Sequence, residues 1–159
     1  MDHTTSWTRV HARTASLREA VAALDAGRPL PDPASISFDD QEQLLQALHG
    51  VWARRLSGRI DVALETDDHE LVECVGRAWL DTADDLPGVR RALDEHADAP
   101  ALQHVLRSEH RTIAVAAGLA TFDDPLAVSS AAGTRFVAGL RRRPGVPAKR
   151  AGWWRRLTG

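Results

Sequence analysis

Apolar residues recur along most of this chain at the spacing of an α-helix. In the first segment the intervals alternate between three and four residues, which places one stripe of side chains on a single helix face: Trp7, Val10, Thr14, Leu17, Val21 and Leu24. No stretch of four to eight residues alternates cleanly between apolar and polar side chains with β-branched residues between turn signals. The spacing therefore predicts an all-α fold without a sheet.

Breaks in this pattern divide the chain into four main helices and one or two shorter ones. Gly27 and the prolines after it end the first helix, and the hydroxyl of Ser37 is predicted to cap a second that runs from about Phe38 to Glu65. Further helices are predicted over about 67–86, 89–97 and 101–120, and from 124 to the Arg triplet at 141–143. Because the later connections are short, we expect an antiparallel bundle of about four to six helices.

Charge divides the chain into two parts. The first 139 residues carry 13 basic and 22 acidic side chains, whereas residues 140–159 carry seven basic side chains and no acidic one. Two Pro and two Gly between positions 144 and 152 argue against continuation of the last helix. The sequence therefore predicts a helical bundle domain over 1–142 and a flexible, basic, Trp-containing tail over 143–159.

Several classes of protein are disfavoured by what the sequence lacks. The single cysteine, Cys74, has no partner for an internal disulfide and cannot supply the thiolates of a Cys-ligated zinc site or an iron–sulfur cluster. Neither a Walker-type nor a dinucleotide-binding glycine pattern occurs, so we expect no cofactor. The chain has neither a signal-like N-terminus nor an apolar run of about 18 residues, so we expect a cytoplasmic location.

One carboxylate falls inside an apolar stripe. Glu109 lies in the middle of the stripe predicted for the fifth helix, where a charged group has to be paired, have a raised pKa or open onto a cavity. His110 flanks the same stripe, and His49 flanks the stripe of the second helix. If these two helices face each other, Glu109, His110 and His49 converge as a site for metal binding or for general acid–base chemistry.

A structural ion pair is the alternative explanation for Glu109. Arg55 and Arg59, one turn apart on the second helix, border its apolar stripe, and either is long enough to neutralise Glu109. Structural Glu–Arg pairs inside bundles are more common than catalytic carboxylates, so we favour the pair over the site.

The C-terminal tail carries the second functional candidate. Trp153, Trp154, Arg155, Arg156 and Leu157 place two large aromatic side chains beside two cations, a combination suited to docking on a protein partner. An anionic membrane surface is less favoured because so short an element binds it weakly, and nucleic acid is unlikely because the acidic body repels phosphates. The tail folding back onto its own acidic body is a further alternative.

These patterns lead to one hypothesis of function and one alternative. We expect a non-enzymatic helical interaction or regulatory module that docks a protein partner, or a second copy of itself, through the basic and aromatic tail. The alternative is a small helical metal-binding protein or enzyme whose interior site contains Glu109, His110 and His49. The sequence leaves open whether the chain is an enzyme.

Overall fold

The computed structural model describes residues 3–66 and 69–142, and most of these residues lie in helices. Its helices are α1 (His3–Asp25), α2 (Gln41–Thr66), α3 (Leu71–Asp85), α4 (Pro87–Glu95), α5 (Pro100–Ala116) and α6 (Leu126–Arg142), with a short 3₁₀ turn at Pro33–Ser35 before α2. No strand occurs within these residues. The predicted all-α helical bundle is confirmed, while the predicted tail over 143–159 lies outside the described residues.

The bundle is organised around α2, which contacts α1, α3, α4 and α5. α5 packs most extensively against α6, and α1 packs mainly against α4. The α2 face that contacts the other helices is almost entirely buried, and its apolar members are Leu44, Leu45, Leu48, Trp52, Leu56 and Ile60. α2 and α3 run antiparallel, because Arg55 pairs with Asp85 and Arg59 with Asp81. Within the described residues no helix is long and apolar enough to cross a lipid bilayer.

The start of α2 differs from the prediction. The side chain of Asp40 accepts a hydrogen bond from the backbone N–H of Gln43 at 2.8 Å, so Asp40 caps the helix. The prediction that Ser37 caps α2 is wrong. Its backbone N–H and its hydroxyl both lie 3.3 Å from the hydroxyl oxygen of Ser16 on α1, where they tie the connecting loop to the first helix.

The end of α5 also falls earlier than predicted. Gly118 has a φ of +69°, a conformation that other residues adopt only at a cost in strain. The backbone N–H of Gly118 donates to the carbonyl of Val115 at 3.0 Å, and that of Leu119 donates to the carbonyl of Ala114 at 2.8 Å. These two bonds form a Schellman motif, which satisfies free carbonyls at the helix end and terminates α5 before position 120.

α5 and α6 approach each other closely at Gly133. A methyl group on Gly133 would lie only 1.9 Å from the carbonyl oxygen of His110 on α5. The two backbones can come this close only because position 133 is a glycine, which has no side-chain carbon. The contact lies one residue after Glu109 on α5, so α6 packs against α5 right beside this buried carboxylate.

Candidate functional site

Glu109 is a buried carboxylate whose two oxygens both have partners. The residue is 8% exposed. Its Oε2 lies 2.7 Å from Nε2 of His49, and its Oε1 accepts a hydrogen bond from Nε1 of Trp52 at 3.1 Å. Both partners belong to α2 and lie one turn apart, which is why a single carboxylate on α5 reaches them together.

Arg90 supplies the positive charge beside this carboxylate. It belongs to α4, is 8% exposed, and places Nη1 3.9 Å from Oε1 of Glu109. Its guanidinium lies 4.7 Å from the ring centroid of Trp52, within the range of a cation–π interaction, and its Nη2 lies 2.8 Å from Asp94. We call the group Glu109, His49, Trp52 and Arg90 the interior junction, since it joins α2, α4 and α5.

The interior junction keeps the carboxylate ionised. Burial on its own raises the pKa of Glu109, but the hydrogen bond from His49, the charge of Arg90 and the hydrogen bond from Trp52 together hold the pKa below its usual value. An ionised carboxylate accepts hydrogen bonds only, so Nε2 of His49 is the donor in this contact.

Further contacts connect the interior junction to α3 and α6. Asp94 on α4 also binds Arg141 of α6, with 2.7 Å between the charged atoms. The guanidinium of Arg141 lies 5.5 Å from the ring centroid of Trp79 on α3, and Trp79 packs edge-to-face against Trp52 with 5.7 Å between ring centroids. One connected set of charges and aromatic rings therefore spans α2 to α6.

The structure brings together only two of the residues proposed for the interior site. Glu109 and His49 are in direct contact. His110 instead has its Nδ1 2.9 Å from the hydroxyl of Thr134 on α6. Arg55 and Arg59 do not reach Glu109, because they lie on the side of α2 that faces α3, where they pair with Asp85 and Asp81. The cation that neutralises Glu109 is Arg90, which the sequence interpretation missed.

His110 gives the bundle a testable pH dependence. Burial lowers the pKa of His110 below its usual value near 6.5. The unfolded chain therefore binds more protons at this residue than the folded chain, so its contribution to stability is complete above pH 6.5 and is lost as the pH falls through the folded pKa. We expect the free energy of unfolding in urea to drop less between pH 7 and pH 5 in His110→Asn than in the wild type. Equal drops in the two proteins would contradict this assignment.

The arrangement around Glu109 is better suited to holding helices together than to chemistry. Among the side chains described, those of residues 11–66 and 69–142, no group of three or more His, Cys, Asp and Glu is placed to hold a metal ion. Both oxygens of Glu109 are already engaged by groups of the protein. Cys74 is buried at 1% exposure, which keeps its thiol from reacting with molecules in solution.

Comparison of the chain with protein-family models, with curated proteins and with solved structures gives no match.

Proposed function

We propose that the chain is a non-enzymatic helical interaction or regulatory module of the cytoplasm that docks a protein partner, or a second copy of itself, through Trp153, Trp154, Arg155, Arg156 and Leu157. The observation that carries the proposal is the separation of charge: seven basic residues and two adjacent Trp follow 139 residues that hold all 22 acidic side chains. Trp and Arg are enriched among the residues that dominate binding energy at protein interfaces.

The last turn of α6 supports this proposal because it gives the tail a fixed starting point. Arg141 is held by Asp94 at 2.7 Å and by the ring of Trp79. Fully extended chain spans at most about 3.6 Å per residue, so Trp153 reaches at most about 40 Å from the end of α6. A partner bound at the tail therefore stays close to the bundle, whose acidic surface is available for further contacts.

The interior junction favours this function over the enzymatic or metal-binding alternative. A general base needs an oxygen or nitrogen within hydrogen-bonding reach of its substrate. Both oxygens of Glu109 instead accept hydrogen bonds from buried donors, and Arg90 balances the charge. These contacts support a structural role for Glu109, in line with the expected ion pair but with a different cation.

Replacing both tail tryptophans tests the proposal. We expect Trp153→Ala/Trp154→Ala to weaken binding of a purified partner by about thirtyfold or more, because truncation of an aromatic anchor at an interface removes at least about 2 kcal/mol. Partners are identified by proximity labelling with the full chain and then purified for titration. Phe122→Ala is the matched control, since Phe122 is an exposed aromatic residue of the bundle, at 71% exposure. It should bind the partner as the wild type does.

Two further measurements decide between kinds of partner. Sedimentation of the purified full chain shows whether the partner is a second copy, in which case the dimer dissociates in the double variant. Vesicles containing phosphatidylserine test the membrane surface, and tail-dependent binding to them in place of a protein would overturn the proposal. Equal binding by the double variant and the wild type, or no partner and no dimer for either, would overturn it as well.

A further inference from the structure

A cleft between α2 and α5 lies directly beside the interior junction. It has a volume of about 270 Å³, and most of the surface of its walls is apolar, with Leu56, Ile60, Val105 and Ile113 among the lining residues. Engineered apolar cavities of about 150 Å³ bind benzene. The cleft therefore has room for a molecule somewhat larger than a single aromatic ring.

His49 and Glu109 belong to the polar part of the cleft wall, together with His104 and the hydroxyl side chains of Ser57, Ser108 and Thr112. The side chain of His49 is 10% exposed, and its Nε2 donates to Glu109. The other ring nitrogen of His49, Nδ1, is left over for a second hydrogen bond. Among the described residues no group hydrogen-bonds to Nδ1, so this nitrogen is open to a ligand in the cleft.

The charges around the cleft select for a neutral ligand. Among the described side chains no Lys or Arg lines the cleft, so an anion would lose its hydration without gaining a permanent counter-charge. A cation gains little either, because Arg90 already lies 3.9 Å from the carboxylate of Glu109. The walls therefore suit a neutral, mainly apolar molecule that carries a hydroxyl group.

We propose that this cleft binds one small neutral molecule of about the size of two fused aromatic rings, whose hydroxyl group hydrogen-bonds with Nδ1 of His49. The ligand would contact the same His49 that holds Glu109, and through it the junction that joins α2, α4 and α5. Binding at the cleft is independent of the tail and goes beyond the interaction function proposed above.

1-Naphthol is a suitable probe because it combines two fused rings with a single hydroxyl and is neutral at pH 7. Titration of the full chain by calorimetry is expected to show one site per chain. Naphthalene, which lacks the hydroxyl group, should bind about five- to tenfold more weakly, the effect of one hydrogen bond. Naphthalene binding as tightly as 1-naphthol, or 2-naphthoate binding more tightly, would overturn the proposed ligand class.

Two variants locate the binding site. Ser57 lines the cleft, is exposed and has no side-chain hydrogen bond within the described residues, so Ser57→Phe should fill the cleft and abolish binding without unfolding the protein. Gln46→Phe places the same side chain at an exposed α2 position outside the cleft and should leave binding unchanged. Normal binding by Ser57→Phe, or the absence of binding to the wild type at millimolar ligand, would overturn the proposal.

A spectroscopic readout tests the link to the interior junction. The indole N–H of Trp52 donates to Glu109, so its nitrogen–proton resonance is sensitive to the position of the carboxylate. We expect 1-naphthol to shift this resonance, assigned through Trp52→Phe, and to shift it in Gln46→Phe but not in Ser57→Phe. A titration that leaves the Trp52 resonance in place would contradict binding beside the junction.

Discussion

Replacing Glu109 with Gln is expected to lower the free energy of unfolding by about 3 kcal/mol. The variant keeps the size of the side chain but removes its charge, so Arg90 loses a counter-ion inside the bundle. The carboxylate of Glu109 offers one oxygen to each of its two donors, whereas the amide of Gln has only one acceptor oxygen. The NH₂ group of Gln would therefore lie against Nε2–H of His49 or Nε1–H of Trp52. Urea unfolding of the full chain at pH 7 measures the loss.

A surface carboxylate provides the matched control. Glu95 lies on α4 and is exposed, so Glu95→Gln should change stability by no more than about 0.5 kcal/mol. The double variant Glu109→Gln/Arg90→Met should recover part of the loss, because it leaves no Arg90 charge without its counter-ion and keeps an amide oxygen as acceptor beside His49 and Trp52. Equal stabilities for Glu109→Gln and Glu95→Gln would contradict the structural role of the junction.

The contact between Glu109 and His49 could be predicted from the sequence because it depends on helical periodicity. Spacings of three and four residues placed Glu109 in the stripe of α5 and His49 at the edge of the stripe of α2. Two apolar stripes in a small bundle tend to face each other. The same argument could not decide which way the flanking His110 turns, because one residue along a helix rotates the side chain by about 100°.

Arg90 was missed although the sequence contained a signal for it. Leu86, Arg90 and Leu93 are spaced by four and three residues, so Arg90 lies in the apolar stripe of α4 just as Glu109 lies in that of α5. Two opposite charges in two apolar stripes are natural partners. Only the packing of the short helix α4 against α2 brings them together, however, and no local pattern determines how a helix of nine residues docks.

The prediction that Arg55 or Arg59 neutralises Glu109 is wrong for a geometric reason. Arg55 and Arg59 border the stripe of α2 on the side that faces α3, whereas α5 packs on the other side, next to His49 and Trp52. Sequence spacing identifies the edges of a stripe but does not say which neighbouring helix covers each edge. That choice follows from the antiparallel pairing of α2 with α3, which aligns the two arginines with Asp81 and Asp85.

Gly133→Ala is expected to destabilise the protein by about 3 kcal/mol, at the upper end of the cost of overpacking a core. The new methyl group would lie 1.9 Å from the carbonyl oxygen of His110 and 2.9 Å from its Cα atom. Backbone atoms cannot move aside by changing rotamer, so α5 and α6 have to separate along their most extensive contact. Thermal and urea unfolding of the full chain measure the loss.

Gly139→Ala on the same helix separates this steric effect from the change in helix propensity. No atom lies within 4 Å of a methyl group built on Gly139, so the substitution should stabilise α6 by about 0.5 to 1 kcal/mol. Opposite signs for two identical substitutions six residues apart would show that the approach of α5 to α6 requires glycine at 133. If Gly133→Ala were as stable as the wild type, the two backbones could move apart at little cost, and the close approach of α5 to α6 would not require glycine at 133.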